Sequence, residues 1–254
     1  MFKNLNTKGI PATKSNYLEK IQELYQGRQF FIDLTNSQPR EDYYLQSVDP
    51  DGFHRNTLLE ESTWKDNNHE TIQFVQQSIL SAQPSVILDF GCGPGWLLSS
   101  LETNAEKYGV DNSSLARGSA ERFATKVASD VSDLNVDFFD LIIANHVLEH
   151  LRNPIEILNA LIDKLSPSGS LVIGMPDFSS AMAHRFGSKY RMLNEPTHIS
   201  LFTLDSTLLL LRNLGMEVSR VAFPFFDSPY FTEENLGQIW SSESQSPPFF
   251  GNFL

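Results

Sequence analysis

The chain has a single cysteine, Cys92, in 254 residues, so no internal disulfide can staple it, and a reducing compartment fits best. Cations are scarce: 19 Lys and Arg face 31 Asp and Glu, for a formal net charge of −12. So acidic a protein lacks the general basic surface that displaces counterions from nucleic-acid phosphates, and no nucleic-acid partner is expected. No apolar run approaches the ~20 residues that span a bilayer. The opening Met1-Phe-Lys-Asn-Leu-Asn-Thr-Lys8 has no apolar signal core. The expectation is a cytoplasmic protein without a membrane partner. There is no internal repeat and no low-complexity segment. What remains is the composition of an ordinary globular protein, 41% hydrophobic and 20% charged, long enough for one sizeable domain with additions.

Periodicity organises the middle of the chain. Tyr17, Leu18, Ile21, Leu24 and Tyr25 recur at helical spacing and predict a helix over 16–26, stopped at Gly27. Residues 28–66 read as irregular and aromatic-rich. A second helix is predicted over 67–82. From 85 onward strands and helices alternate: strands at 85–90, 106–110, 125–129, 139–144 and 170–175, with helices at 95–105, 113–123 and from Asn153-Pro154 onward. This alternation predicts an α/β fold with a mostly parallel, doubly wound sheet and helices on both faces. Residues 177–200 show no strong element, 204–214 read as a helix and 216–223 as a strand. The division expected is an N-terminal helical and irregular extension, 1–66, serving as cover for an acceptor site. A nucleotide-binding domain follows at 67–223, and an aromatic C-terminal tail, 224–254, packs on it or ends in a short strand.

The first predicted strand carries the strongest signal. Val86-Ile-Leu-Asp-Phe-Gly-Cys-Gly-Pro-Gly95 runs from an apolar strand into an acid and then into glycines at 91, 93 and 95. Such a turn lets backbone approach a ligand at the carboxyl end of a buried parallel strand. Gly91, Gly93 and Asp111 meet part of a dinucleotide fingerprint. The third helical glycine of that fingerprint would fall at 96, where Trp96 stands. Indole bulk there opposes a pyrophosphate, which disfavours a nicotinamide-dependent oxidoreductase.

Several motifs in order resemble the class I SAM-dependent methyltransferases, in the small-molecule branch of the ubiquinone-pathway type. They are Asp89-Phe-Gly-Cys-Gly-Pro-Gly95, Gly109-Val-Asp111-Asn-Ser113, Ala128-Ser-Asp130-Val131, Phe139 through Leu151, and Leu165 through Gly174. The resemblance covers about 85–223 and implies a Rossmann-like sheet with S-adenosylmethionine (SAM) as cofactor. It implies a cofactor site of Asp89, Gly91, Cys92, Gly93, Gly95, Asp111, Asn112, Asp130, Val131 and Asn145. Asp111 would accept both ribose hydroxyls as charge-assisted bonds. The glycine backbone would face the methionine half, and Asp89 would organise the loop or reach the cofactor's amino group through water. Asp130 would accept from the adenine amino group while the Val131 N–H meets a ring nitrogen. Cys92 reads as a small residue in a tight space rather than a nucleophile.

On the acceptor side, methyl transfer from a sulfonium needs alignment, and a hydroxyl acceptor also needs a base. His146, His150 and His198 fall where the resemblance places the acceptor and are the catalytic candidates. A helical turn after the fourth strand would set His146 and His150 at i and i+4. Some small-RNA 2′-O-methyltransferases carry Glu-x-x-Glu-His here and a later His, together holding a divalent metal. This chain reads His146-x-x-Glu149-His150, with a softer donor set, and no metal is expected. The Asn-Pro-Pro-Tyr motif of base N-methylators is absent. Arg40, Arg55, Arg185 and Arg191 are candidates for an anionic group on the acceptor. The function expected is methyl transfer from SAM to a small molecule, at oxygen. The alternatives are a SAM-binding partner protein without activity and the oxidoreductase. The oligomeric state stays open.

Overall fold

The structure, a computed structural model, describes residues 5–26, 29–34, 61–195, 197–223 and 252–253. Contacts divide the chain into two compact units, one drawn from 1–40, 148–159 and 175–253, the other from 41–147 and 160–174. Of the segments expected to cover an acceptor or form a tail, residues 35–60 and 224–251 lie outside the described residues.

The second of these units holds the sheet. Its strands are β3 (Val86–Phe90), β4 (Glu106–Val110), β5 (Lys126–Ala128), β6 (Phe139–Asn145) and β7 (Leu165–Pro176), whose last two residues belong to the other unit. They lie in the order β5-β4-β3-β6-β7, every pair parallel. The predicted Rossmann-like α/β sheet is therefore present, flanked by helices. The central strands are buried on both faces: Ile87, Leu88 and Leu141 through Ala144 are fully enclosed. That explains why they read as continuous apolar runs rather than as alternation. The chain enters the sheet through α2 (Glu61–Asn67) and α3 (His69–Ala82), whose buried Thr71, Phe74, Val75 and Ile79 follow one helical stripe. Gln83, left-handed at φ 47°, ends α3 just before Pro84. α4 (Trp96–Ser100) and α5 (Ser114–Ala120) connect the first three strands, and α6 (Pro154–Ile162) connects β6 to β7.

The order of strands reverses at β3, which lies between β4 and β6. In such sheets the crevice beyond the carboxyl ends of the strands at that switch point is where ligands bind. Both candidate segments, the glycine loop after β3 and the turn after β6, are at those ends.

The other unit builds a small sheet. β1 (Ile10–Ala12) and β2 (Ile32–Leu34) are parallel, and β8 (Ser200–Leu201) runs antiparallel to β2. α1 (Tyr17–Gln26) supplies Tyr17, Ile21 and Leu24 to a core shared with Phe178, Tyr190 and Leu193. α7 (Ala181–Phe186), α8 (Arg191–Asn194) and α9 (Leu204–Asn213) complete it, and β9 (Asn252–Phe253) pairs antiparallel with Met175 and Pro176.

Several expectations are corrected. Residues 216–223 form no strand: they are largely exposed, Val221 and Phe223 among them, with no ladder partner among the described residues. The helix expected over 95–105 stops at Ser100. There the Ser99 and Ser100 hydroxyls both donate to the Trp96 carbonyl, at 2.8 and 2.7 Å, and Leu101 turns extended. Residues 177–200 hold α7, α8 and the start of β8, with Ser180 capping α7 by accepting from the Ala183 N–H. β2 lies in the stretch read as irregular. Ser166 to Gly169, read as a helix stop, belong to β7, whose pairing with β6 shifts register between Phe139 and Leu141.

Asp140 ties three strand starts together. Its carboxylate accepts from the Ser85 and Val86 N–H groups at 2.9 and 3.2 Å and from the Ser166 hydroxyl at 2.9 Å. These bonds, that of Ser85 first, hold its carboxyl below the usual range. We predict that Asp140→Ala lowers stability at pH 7 by about 1 kcal/mol in urea unfolding. Because the folded pKa is depressed, the carboxylate's contribution is present above about pH 4 and is lost as the pH falls, so the gap between the two proteins closes in acid.

Candidate functional site

The glycine loop is folded by its neighbours. The Gly91 and Cys92 N–H groups both donate to the Val110 carbonyl, at 2.7 and 2.9 Å, which seats the loop on the end of β4. Gly91 and Gly95 have φ of 77° and 86°, in the left-handed region. At Gly91 an added Cβ would stand 2.4 Å from Val147 Cγ2, and at Gly95 2.9 Å from the Ala120 Cα. Glycine is thus required at both positions by backbone conformation and by packing. Cys92 is buried with Leu98 and Ala120 and occupies the space left by Gly109, where a Cβ would meet its sulfur at 2.8 Å. Burial, reinforced by the Asp89 and Asp111 carboxylates, pushes its thiol well up, so it is a poor nucleophile. This agrees with its reading as a space-filling residue.

Two acids stand at the mouth of the crevice, both nearly enclosed: Asp89 is 3% exposed and Asp111 9%. Asp111 is held on both oxygens, Oδ2 accepting from the Gly93 N–H at 2.9 Å and Oδ1 from the Ser113 N–H at 2.8 Å. Asp89 has its carboxyl pushed up to about 7, first by burial and then by the neighbouring Asp111 charge. Asp89 is therefore part acid and part carboxylate near neutrality.

Arg117, not singled out from the sequence, donates from Nη1 to the Asp111 and Asn112 carbonyls at 2.7 and 2.9 Å. It fixes the chain between the acid and α5. A cation six residues after a strand-end acid was the only available sign of it. The Asn112 side chain itself is exposed. At the end of β5, Asp130 is exposed and caps the following turn, its Oδ1 accepting from the Ser132 N–H and hydroxyl at 2.8 and 2.7 Å. These two bonds, the hydroxyl's first, hold its pKa down. Val131 begins that turn.

Beyond β6, Asn145 pairs in register with Gly174, and its Oδ1 is buried with no hydrogen-bond partner among the described residues. His146 is left-handed at φ 54° while its N–H donates to the Gly174 carbonyl at 2.8 Å. A non-glycine residue held in that region at a strand end is a mark of functional sites. The turn is not α-helical: a 3₁₀ turn over Leu148–His150 follows it, so the expected i, i+4 alignment of His146 with His150 does not form. Trp96 packs against Trp64 with ring centroids 6.0 Å apart, and its indole N–H is also buried without a partner.

The other unit brings a second set together by itself. His150 Nδ1 lies 3.1 Å from the Thr197 carbonyl, and His198 Nδ1 2.7 Å from the Met192 carbonyl. The rings tilt at 53° with centroids 4.8 Å apart. Glu149, fully buried, joins them. It was not among the expected site residues, and its sign was a charge inside the apolar Val147-Leu-Glu-His-Leu151. Of the four arginines, Arg40 and Arg55 lie outside the described residues, as does the Arg191 side chain, while Arg185 lies 5.7 Å over the Phe186 ring.

Asp89 gives a direct test. A carboxyl whose folded pKa is raised contributes most stability below its unfolded value, and that contribution is lost as pH rises through about 7. Asp89→Asn is expected to leave stability similar in mild acid and to raise it above neutrality, on the order of 1–3 kcal/mol. Urea midpoints across the pH range check this, and parallel curves would place the titrating charge elsewhere.

A family profile described as a methyltransferase domain matches residues 63–221, more than half of the chain. A trans-aconitate 2-methyltransferase of Methylobacterium nodulans is 35% identical over 122 residues, 45% of this chain and 46% of that protein. The chain spans less than half the length of the curated relatives it matches. Among solved structures, the plantazolicin methyltransferase BpumL, in complex with a triazolic desmethylPZN analog and SAH, aligns with TM-score 0.53 at 19% identity. The alignment covers 76% of this chain and 85% of that one. A SAM-dependent methyltransferase from Archaeoglobus fulgidus aligns with TM-score 0.50 at 20% identity, covering 75% and 96%. These likenesses are of fold. No described helix is long and apolar enough to cross a membrane. With the profile match over most of the sheet unit and the strand order beneath it, the chain belongs to the methyltransferase domain family, in the fold class of the SAM-dependent methyltransferases.

Proposed function

We propose that the protein is a SAM-dependent methyltransferase that methylates a small molecule at oxygen. The observation that carries this reading is the pairing of the glycine loop with Asp111 at the strand switch point, where the Gly93 N–H is already clamped to the acid. In the proposed complex the Asp111 carboxylate accepts the ribose hydroxyls as charge-assisted bonds. Asn112 and the Asp130–Val131 turn flank the adenine. Backbone at Gly91, Gly93 and Gly95 faces the methionine half, with Cys92 filling the space behind it. Asp89 faces the cofactor's ammonium, and Asn145 offers its buried amide oxygen from β6. Trp96, buried against Trp64, leaves no room for the pyrophosphate of a dinucleotide at the helix start.

SAM supplies an activated methyl group, so the chain's own work is to bind it, align the acceptor and exclude water. His146, strained at the end of β6, is the proposed base for a hydroxyl acceptor. His150 and His198 stand in the second set described above. An oxygen acceptor is favoured by the curated relatives, which are named for trans-aconitate, an acid whose only heteroatoms are oxygens.

Calorimetric titration with SAM and its demethylated product tests the reading, and no heat with either would overturn it. Asp111→Ala is expected to weaken SAM by roughly tenfold or more, given charge-assisted bonds of about 1.5–3 kcal/mol. Between mild acid and neutrality SAM affinity is expected to rise with pH, because the arriving ammonium drives the proton off Asp89, whose carboxyl stands at about 7. Asp89→Asn flattens that profile. His146→Ala is expected to slow turnover of a hydroxyl acceptor with SAM affinity unchanged, measured by single-turnover kinetics. An unchanged rate would remove His146 as the base.

A further inference from the structure

Glu149, His150 and His198 each offer one ligand-capable atom, and these atoms lie within 4.8 Å of one another. Glu149 and His198 are buried, and His150 is partly exposed. The chemistry of the two rings follows from their backbone contacts. A carbonyl only accepts, so His150 donates from Nδ1 to Thr197 and His198 donates from Nδ1 to Met192. A neutral imidazole with its hydrogen on Nδ1 presents a lone pair at Nε2. Fixing Nδ1–H on a carbonyl is how proteins orient an imidazole ligand and raise its basicity. The His150 Nε2 stands 4.0 Å from Glu149 Oε1. The two chain segments are stitched beside the cluster: the Ile199 N–H donates to the Glu149 carbonyl at 2.9 Å and the Ser200 hydroxyl to the Leu151 carbonyl at 2.6 Å. The donors are therefore oriented before any ligand arrives.

We infer that Glu149, His150 and His198 form a site for a borderline divalent cation of the zinc or cobalt type, held by the two Nε2 atoms and the Glu149 carboxylate. Two imidazole nitrogens and one carboxylate oxygen suit these ions, whereas Mg²⁺ and Ca²⁺ take oxygen donors. The sequence expectation of no metal rested on the loss of a hard oxygen ligand at 146. That loss argues against a hard cation and leaves a softer one well served. Three protein donors leave a coordination position open for water. Donors around such an ion stand roughly 3–3.5 Å apart. Closing the set from 4.8 Å asks a shift of about 1.5 Å, and His150 is the partly exposed member of the three. In this role His150 and His198 hold the ion rather than take a proton.

The test uses the untagged full chain, freed of metal by a chelator and dialysed, then titrated with Co²⁺ and followed by visible absorption and calorimetry. One Co²⁺ per chain is expected, giving visible bands that Zn²⁺ abolishes by displacement and Mg²⁺ in excess does not. Glu149→Gln and His150→Ala are each expected to weaken Co²⁺ at least roughly tenfold, the scale on which groups around a metal are felt. His198 is buried, so the partly exposed His150 supplies the decisive variant, with unfolding in the absence of metal as its control for folding. No stoichiometric uptake, displacement by Mg²⁺, or an affinity untouched by His150→Ala would overturn the site. None of these outcomes bears on SAM titration, which involves other residues.

Discussion

One hydrogen bond, from the Gly93 N–H to Asp111 Oδ2 at 2.9 Å, closes the loop after β3 onto the end of β4. The shape of the cofactor end of the sheet depends on it. For Gly93 to reach the acid, the chain must turn through left-handed conformations at 91, 93 and 95. Those turns bring backbone so close to Val147 and Ala120 that no side chain fits at 91 or 95. The same closure encloses Asp89 beside Asp111, and burial with a like charge raises the Asp89 carboxyl toward neutrality. An arrangement that is unfavourable without a cation is a reason to expect one to bind there. The ammonium of the proposed cofactor is that cation.

The Glu149–His150–His198 set follows a different logic. Here each ring is anchored by a backbone carbonyl, and the ligand-capable atoms of the three residues lie within 4.8 Å of one another. Both sets contain buried carboxylates, and in both the main chain positions side chains: the Gly93 and Ser113 N–H groups donate to Asp111, and two carbonyls accept from the His150 and His198 rings. Main-chain partners place such groups more tightly than flexible side chains would, because fewer rotatable bonds have to be ordered.

Much of this was legible in the residues. Four of the five sheet strands were expected almost at their observed limits, because buried parallel strands are uninterrupted apolar runs. The fifth began earlier, since a Ser-Pro-Ser-Gly stretch that reads as a stop can still carry a register shift. The glycine loop and Asp111 were readable because chemistry restricts the residue types at those places. Short elements were not. β2, β8 and α8 are two to four residues long, too short for any period to emerge, and exist because tertiary neighbours complete them. The opposite error, a strand at 216–223, falls where the described residues offer no pairing partner.

The sequence by itself determined the fold class and placed a glycine loop and the acids Asp89 and Asp111 at the ends of neighbouring strands. Each of these is set by local rules: the period of burial, the steric freedom of glycine, and a charge at a strand end. Only the tertiary structure decided the ionisation of Asp89, the grip of Arg117 on the Asp111–Asn112 carbonyls, the left-handed turn at His146 and the meeting of His198 with Glu149 and His150. The physical reason is range. Burial, shared hydrogen bonds and the convergence of lone pairs are properties of residues separated along the chain, and no spacing within one segment encodes them.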